Sequence, residues 1–284
     1  GAAEAAAAAA PAGVPPKKKK APEAPKQVVY RYRFGYRKLG PVSFLGHLDL
    51  IRALPRVLRR IEVPVAYTIG FHPKPDMTFG PALSLGVPSL EEYVDIKLLS
   101  EHDGDDLVRR MNGATPEGLS FFAAAKLGAT DPGITRVIGG ARYALIFARS
   151  ALPENAEAWL NERAAAALAA TTLPVTRTID GQSKTMDVRS YLRRAEVSAA
   201  AREAAARAGM IGDLVALDVE VAVTGSGAVK SSEVAEVIAG AGITCRSVRM
   251  ALLTTDGTSP LAIIGRPPVR TKTAEAAGAA EAGA

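Results

Sequence analysis

The sequence predicts an α+β protein made of tandem ferredoxin-like (βαββαβ) units with antiparallel sheets, flanked by disordered Ala/Pro/Lys-rich tails. Three observations predict it. Apolar and polar residues alternate over short stretches, as in half-buried strands. Amphipathic helical stretches separate them. The order strand, helix, strand, strand, helix, strand occurs twice, across residues 28–135 and 136–270. Only the order of elements supports the repeat; the two halves share no sequence identity.

In the first unit Tyr30, Tyr32, Phe34 and Tyr36 alternate with Arg31, Arg33, Gly35 and Arg37. Burying arginines costs far more than burying rings, so the ring face is expected inward and the arginine face wet. Ser43 is the expected N-cap of a helix reaching about Ile61, with Leu50, Leu54, Val57 and Ile61 inward and Arg52, Arg56 and Arg59 outward. Pro55 removes a backbone donor, so a kink or interruption is expected there. Asp49 is expected to pair with Arg52 or Arg56 along the helix. Strands follow at 64–69 and 92–98, a short helix at 103–111 and a strand at 119–126. The second unit reads as a strand at 143–148, a helix at 153–169 built on Trp159, strands at 175–179 and 215–223, a helix at 231–239 and a strand at 243–253.

The two ends stand apart. Residues 1–27 mix Ala, Pro and Lys without an apolar period, and residues 271–284 resemble them, so both read as flexible tails. The first reads as an inter-domain linker, which suggests a longer polypeptide. The 284 residues, 48% hydrophobic and 23% charged, are those of a globular protein. No apolar run approaches the roughly 20 residues of a membrane span, so a cytoplasmic protein is expected. The single cysteine, Cys245, excludes an intrachain disulfide and a self-contained iron–sulfur cluster. It sits in an apolar strand pattern and reads as a structural thiol.

Charge and loop chemistry concentrate in one region. Between Tyr30 and Arg60 stand eight basic residues (Arg31, Arg33, Arg37, Lys38, Arg52, Arg56, Arg59, Arg60) against one acid, Asp49, although the net charge is only +6. A positive surface that attracts phosphate or acidic partners is expected, with a plain solvated face as the alternative. Residues 70–89, GFHPKPDMTFGPALSLGVPS, form a loop of roughly 20 residues whose prolines and glycines hold defined turns. Within it Phe71, His72, Lys74 and Asp76 offer a stacking ring, an imidazole, a cation and a carboxylate. His47 and Asp49 stand two apart and diverge by about 200° on a helix, so they cannot share a metal ion, and no metal site is expected. In the second unit the polar run from Asp180 to Arg194 carries Lys184, Asp187, Arg189 and Arg193, which would reach the basic face if the two sheets meet.

SFLGHLDLIRAL, then VPVAYTIGFHPKPDMTFGPALSLGVPS, then EEYVDIKL, together resemble the radical-SAM-linked domain of unknown function. That family occurs as a separate protein or fused behind a radical SAM domain, often with a B12-binding-like region ahead. The matching positions are His47, Asp49, Gly70, Phe71, Pro73, Pro75 and Gly86. His72, Lys74 and Asp76 stand where the family pattern has other residues. The resemblance therefore implies a shaped backbone, with S-adenosylmethionine and a 4Fe–4S cluster held by a partner or upstream domain and no cofactor in this chain.

The leading expectation is a non-catalytic domain that recruits RNA or another phosphate-bearing substrate to a radical SAM enzyme. Arg31, Arg33, Arg52, Arg56 and Arg59 would hold it beside Phe71 and Lys74. One alternative is an RNA-modifying or RNA-cleaving enzyme with His72, His47 or Asp76 as acid or base. Another is a protein-interaction module docking on a radical SAM core.

Overall fold

The computed structural model describes residues 28–179, 181–225 and 227–265, so both expected tails lie outside the described residues. The protein is a mixed α+β structure with a large, mostly antiparallel sheet and six helices among the described residues. None of those helices is long and apolar enough to cross a membrane.

The first half contributes β1 (Tyr30–Lys38), α1 (His47–Arg60), β2 (Met77–Phe79), β3 (Ser89–Leu98), α2 (Gly104–Asn112) and β4 (Leu119–Leu127). Their sheet order is β4–β1–β3–β2, all antiparallel. Tyr32, Phe34 and Tyr36 enter a core with Leu50, Leu54, Val57 and Leu58 of α1 and Leu107 and Met111 of α2. The opposite face of β1, expected to be wet, is covered. Arg33 has no exposed surface and forks onto Asp95 of β3 at 2.8 and 3.0 Å. Its remaining donors meet the carbonyls of Pro132 and Pro260 at 2.8 and 3.0 Å. A buried guanidinium is tolerable because its charge meets Asp95 and each of its three nitrogens donates at least one hydrogen bond. Gly35 is required by packing: a Cβ there would meet the Phe122 ring at 2.5 Å.

Two local expectations change at α1. Gly46, not Ser43, is its N-cap, and Asp49 accepts the Gly46 amide at 2.9 Å, so this acid caps the helix and forms no ion pair with Arg52 or Arg56. The helix also runs unbroken through Pro55. Pro55 lies on the half-exposed side, where the carbonyl it orphans can reach water, while Leu50, Leu54, Val57 and Leu58 pin the buried side.

The strand expected at 64–69 is split. Residues 64–66 pair with 97–99 at the end of β3, and then the chain turns back on itself before Met77–Phe79 takes up the same edge. Pro64 has no donor to carry the ladder further upstream.

The second half holds α3 (Ile134–Val137), β5 (Ile138–Ala148), α4 (Ala156–Ala169), β6 (Pro174–Ile179), β7 (Gln182–Asp187), β8 (Leu192–Val197), α5 (Ala199–Arg207), β9 (Leu214–Thr224), β10 (Gly227–Ala228), α6 (Ser231–Ala239) and β11 (Cys245–Thr254). β11–β5–β9–β8 are antiparallel neighbours, with β10 also on β9. Leu160 and Ala164 of α4 and Val234 and Ile238 of α6 pack on Leu145, Phe147, Leu217 and Val219. Ala201, Ala204 and Ala205 of α5 pack with Ala144, Ile146 and Ala216 in a second cluster. The segment at 175–179 does not join the main sheet. It pairs with β7 as a separate hairpin, and β8 occupies the edge of β9 instead.

The halves join where β11 runs parallel to β3, through a single register pair, Arg249 with Ser89. Arg249 is buried there. It donates to both Glu92 oxygens at 2.8 and 3.0 Å, to the Tyr143 hydroxyl at 3.1 and 2.8 Å, and to the carbonyls of Pro81 and Ala82 at 3.0 and 3.2 Å. One guanidinium thus ties β3, β5, β11 and the loop before β3 together.

Candidate functional site

The outer face of α1 presents Leu48, Arg52, Arg56 and Arg59, all exposed and spaced to form one stripe. Because Asp49 is spent on the cap, no acid on this helix neutralises the stripe. Among the described residues Arg52, Arg56 and Arg59 form no ion pair or side-chain hydrogen bond. Arg31 is different: half-buried, it donates to the carbonyl of Asp131 at 2.9 Å. With Arg33 locked on Asp95, neither Arg31 nor Arg33 belongs to the open surface.

Beside α1 the residues from Ala66 to Asp76 form a finger. Asp76 N–H donates to the Ala66 carbonyl at 2.8 Å, Thr68 N–H donates to the Lys74 carbonyl at 2.8 Å, and Tyr67 bridges Pro75. Pro73 and Pro75 stiffen the returning arm, and Gly70, at φ +149°, turns the tip. Ile69 and Phe71 are 105% and 103% exposed, with His72 and Lys74 beside them. Large apolar side chains thus stand fully in water on a proline-stiffened tip. Asp76 pairs with Lys97 Nζ at 2.7 Å and anchors the finger to β3.

Between α1 and the root of the finger runs a groove of about 420 Å³, lined by Pro55, Arg59, Glu62, Val63, Pro64, Val65 and Tyr67. Glu62, at φ +57°, is the one non-glycine residue with positive φ among the described residues.

A smaller pocket, about 20 Å³ and large enough for one water, lies at the start of α1. Tyr36, Lys38, His47, Phe79 and Glu92 line it with Gly80–Leu83. Lys38 Nζ donates to the Leu45 carbonyl at 2.9 Å, and burial holds its amine below the ordinary lysine range. Burial likewise pushes the Tyr36 phenol up. The His47 ring meets Phe79 edge-on at 4.9 Å. Period two puts Lys38 on the ring face with Tyr36, but nothing in the sequence brings its amine beside Glu92 and residues 80–83, so this pocket was not legible there. Gly86, at φ +78°, lies under the Phe44 ring and shapes the loop that closes it.

The three acid–base candidates therefore have separate surroundings: His47 borders the small pocket, Asp76 is paired with Lys97, and His72 is at the finger tip. No group of three His, Cys, Asp or Glu able to hold a metal occurs among the described residues. In the second half the polar run stays local. Asp187 caps the Leu173 and Arg189 amides at 2.7 and 3.0 Å, Arg189 donates to the Leu192 carbonyl at 2.9 Å, Arg193 faces Glu220 at 3.7 Å, and Lys184 is exposed on β7. Burial pushes the Cys245 thiol up to about 12, which leaves it without nucleophilic thiolate near neutrality.

A family profile described as an uncharacterized protein conserved in bacteria, DUF2344, matches residues 31–230, more than half of the chain. The chain belongs to this family. The DUF2344 match begins in β1, spans α1, the finger and both grooves, and ends at the N-cap of α6. Its description carries no radical SAM association, and comparison with curated proteins found no match.

Proposed function

We propose that this domain recruits a single-stranded stretch of RNA, using the α1 stripe for its phosphates and the finger for its bases. One observation carries the reading: three exposed arginines with no acidic partner among the described residues, Arg52, Arg56 and Arg59, share one helix face, and Arg59 lines a groove with the Tyr67 ring at the root of the finger that carries Phe71. Cationic grooves interleaved with stacking rings are the general device for holding single strands. Lys74 extends the charge onto the finger. Arg31 and Arg33 drop out, because both are engaged with the protein itself. A fluorescent 20-mer RNA should bind the full chain with an affinity that falls as salt rises, with a log–log slope of about −2 to −3 for three or four phosphate contacts. A slope near zero would overturn the reading.

The domain acts, in this proposal, as an accessory to a radical SAM enzyme that supplies S-adenosylmethionine and the 4Fe–4S cluster. The resemblance carried by His47, Asp49, Gly70, Phe71, Pro73, Pro75 and Gly86 supports that association, and a single cysteine agrees with a cluster held elsewhere. The orders β4–β1–β3–β2 and β11–β5–β9–β8 support reading the sheet as two ferredoxin-like units, the second enlarged by the β6–β7 hairpin and α5. A second reading, a docking module, is favoured by Phe44, Leu48 and Leu85, exposed apolar side chains near the start of α1. Replacing Leu48 and Leu85 by Ser should abolish co-purification with a radical SAM protein if that reading holds.

A further inference from the structure

The groove at the end of α1 combines features that a helix terminus does not need for its own stability. Val63 N–H donates to the Leu58 carbonyl at 2.9 Å and Glu62 N–H to the Arg59 carbonyl at 3.1 Å, which is a Schellman ending. Its left-handed position normally falls to glycine, because any Cβ is strained there. Here that position holds Glu62, whose carboxylate is exposed and has no hydrogen-bond or ion-pair partner among the described residues. The neighbouring cations do not neutralise it: Arg60 donates to the Ala114 carbonyl, and Arg110 to the Ile61 carbonyl and Asp106. A strained residue with an uncommitted charge, at the mouth of a groove, points to a ligand.

We propose that this groove holds one unstacked guanine nucleotide, its base against Tyr67 and the Pro55, Val63, Pro64 and Val65 wall, its Watson–Crick edge on Glu62 and its phosphate on Arg59. The inference rests on reading the α1 face as an RNA surface and adds a base preference to it. The chemistry that selects guanine is simple. A carboxylate only accepts hydrogen bonds. Guanine presents two adjacent donors, N1–H and the N2 amine, which a carboxylate can take side by side. Uracil sets two carbonyls around one N–H, and adenine and cytosine each place an acceptor nitrogen beside their amine, so each brings a lone pair toward Glu62. The walls are apolar and one is aromatic, as a base face requires. The groove, of about 420 Å³, has Arg59 in its lining, and from there the stripe continues to Arg56 and Arg52 on the same helix face.

The test is fluorescence anisotropy of the full chain with labelled seven-residue RNAs, UUUXUUU, where X is G, inosine, A, C or U. The G oligonucleotide should bind at least tenfold more tightly than the A, C and U versions, and inosine, which lacks the N2 amine, should fall between. E62Q and E62G should abolish the difference between the G and U oligonucleotides. E62G relieves the backbone strain, so loss of folding cannot account for its effect. Y67A should weaken all five. Unselective binding by the unaltered protein, or a G preference that survives in both Glu62 variants, overturns this inference and leaves RNA recruitment standing. No binding of any oligonucleotide at low salt overturns both.

Discussion

Replacing Arg249 by Met removes the guanidinium but keeps most of the stem that fills the seam between the halves. Arg249 is 2% exposed, and its partner Glu92 is 5% exposed, so the variant leaves a carboxylate buried without a cation. It also strands the Tyr143 hydroxyl and the carbonyls of Pro81 and Ala82. Breaking one side of a buried pair costs about 3–5 kcal/mol, a large part of the roughly 5–15 kcal/mol that holds an ordinary domain together. For a chain of this size that lowers Tm by roughly 6–20 °C, at about 2–4 °C per kcal/mol. Urea unfolding followed by circular dichroism and by the single Trp159 measures it. In the double variant R249M/E92M the pair is removed whole and only the Glu92 field on buried Lys38 is lost with it, so part of the loss should return, with a coupling energy of about 2 kcal/mol or more. If R249M loses under about 1 kcal/mol, or if E92M adds a further independent loss, the seam is not held by this pair.

Three further outcomes are expected. Cys245, with its thiol raised to about 12 against an ordinary value near 8.5, should be alkylated by iodoacetamide at pH 8 at least about 100-fold more slowly in the native protein than in urea. Rates within tenfold of each other would show an accessible thiolate. Burial works to raise the Glu233 carboxyl, but hydrogen bonds from Arg177 and the Lys230 amide outweigh it and hold it below the usual range. The unfolded chain therefore takes up this proton first as pH falls below about 4.5, and the stabilisation present above that pH disappears as pH drops through the folded value. The stability gap between the unaltered protein and E233Q should accordingly narrow from pH 6 to pH 3; a constant gap refutes the link. G35A should lose about 1–3 kcal/mol in chemical denaturation through its clash with Phe122, and G35A/F122L should regain most of it.

The parts of the fold that were legible in the sequence are those where periodicity and burial agree. β1, α1, β3, α2, β4, β9 and α6 announce themselves through apolar residues at strand or helix spacing, and tertiary packing uses the same faces. Reading failed where a second layer or a neighbour changed the local rule. The arginine face of β1 looked wet because its cover comes from Pro132 and Pro260, about a hundred or more residues away, and its compensating charge, Asp95, comes from another strand. β8 is an edge strand, LRRAEV, whose apolar residues do not alternate, and α5 buries alanines, so neither carries a strong apolar period. The hairpin of β6 and β7 was half seen because its second strand, QSKTMD, is almost wholly polar. At the site, the outward arginines of α1 and the exposed Phe71 and Lys74 followed from helix geometry and loop composition. Glu62 did not, since a positive φ at a helix end leaves no mark when glycine is replaced by another residue.

The central claim is that the arginine stripe of α1 holds RNA. The most direct measurement is the salt dependence of RNA binding by the full chain and by R52A/R56A/R59A, whose exposed side chains form no ion pair or hydrogen bond among the described residues. The variant should keep its Tm within about 2 °C, bind at least tenfold more weakly at low salt, and lose most of the log–log slope. An unchanged affinity and slope in a folded triple variant would contradict it.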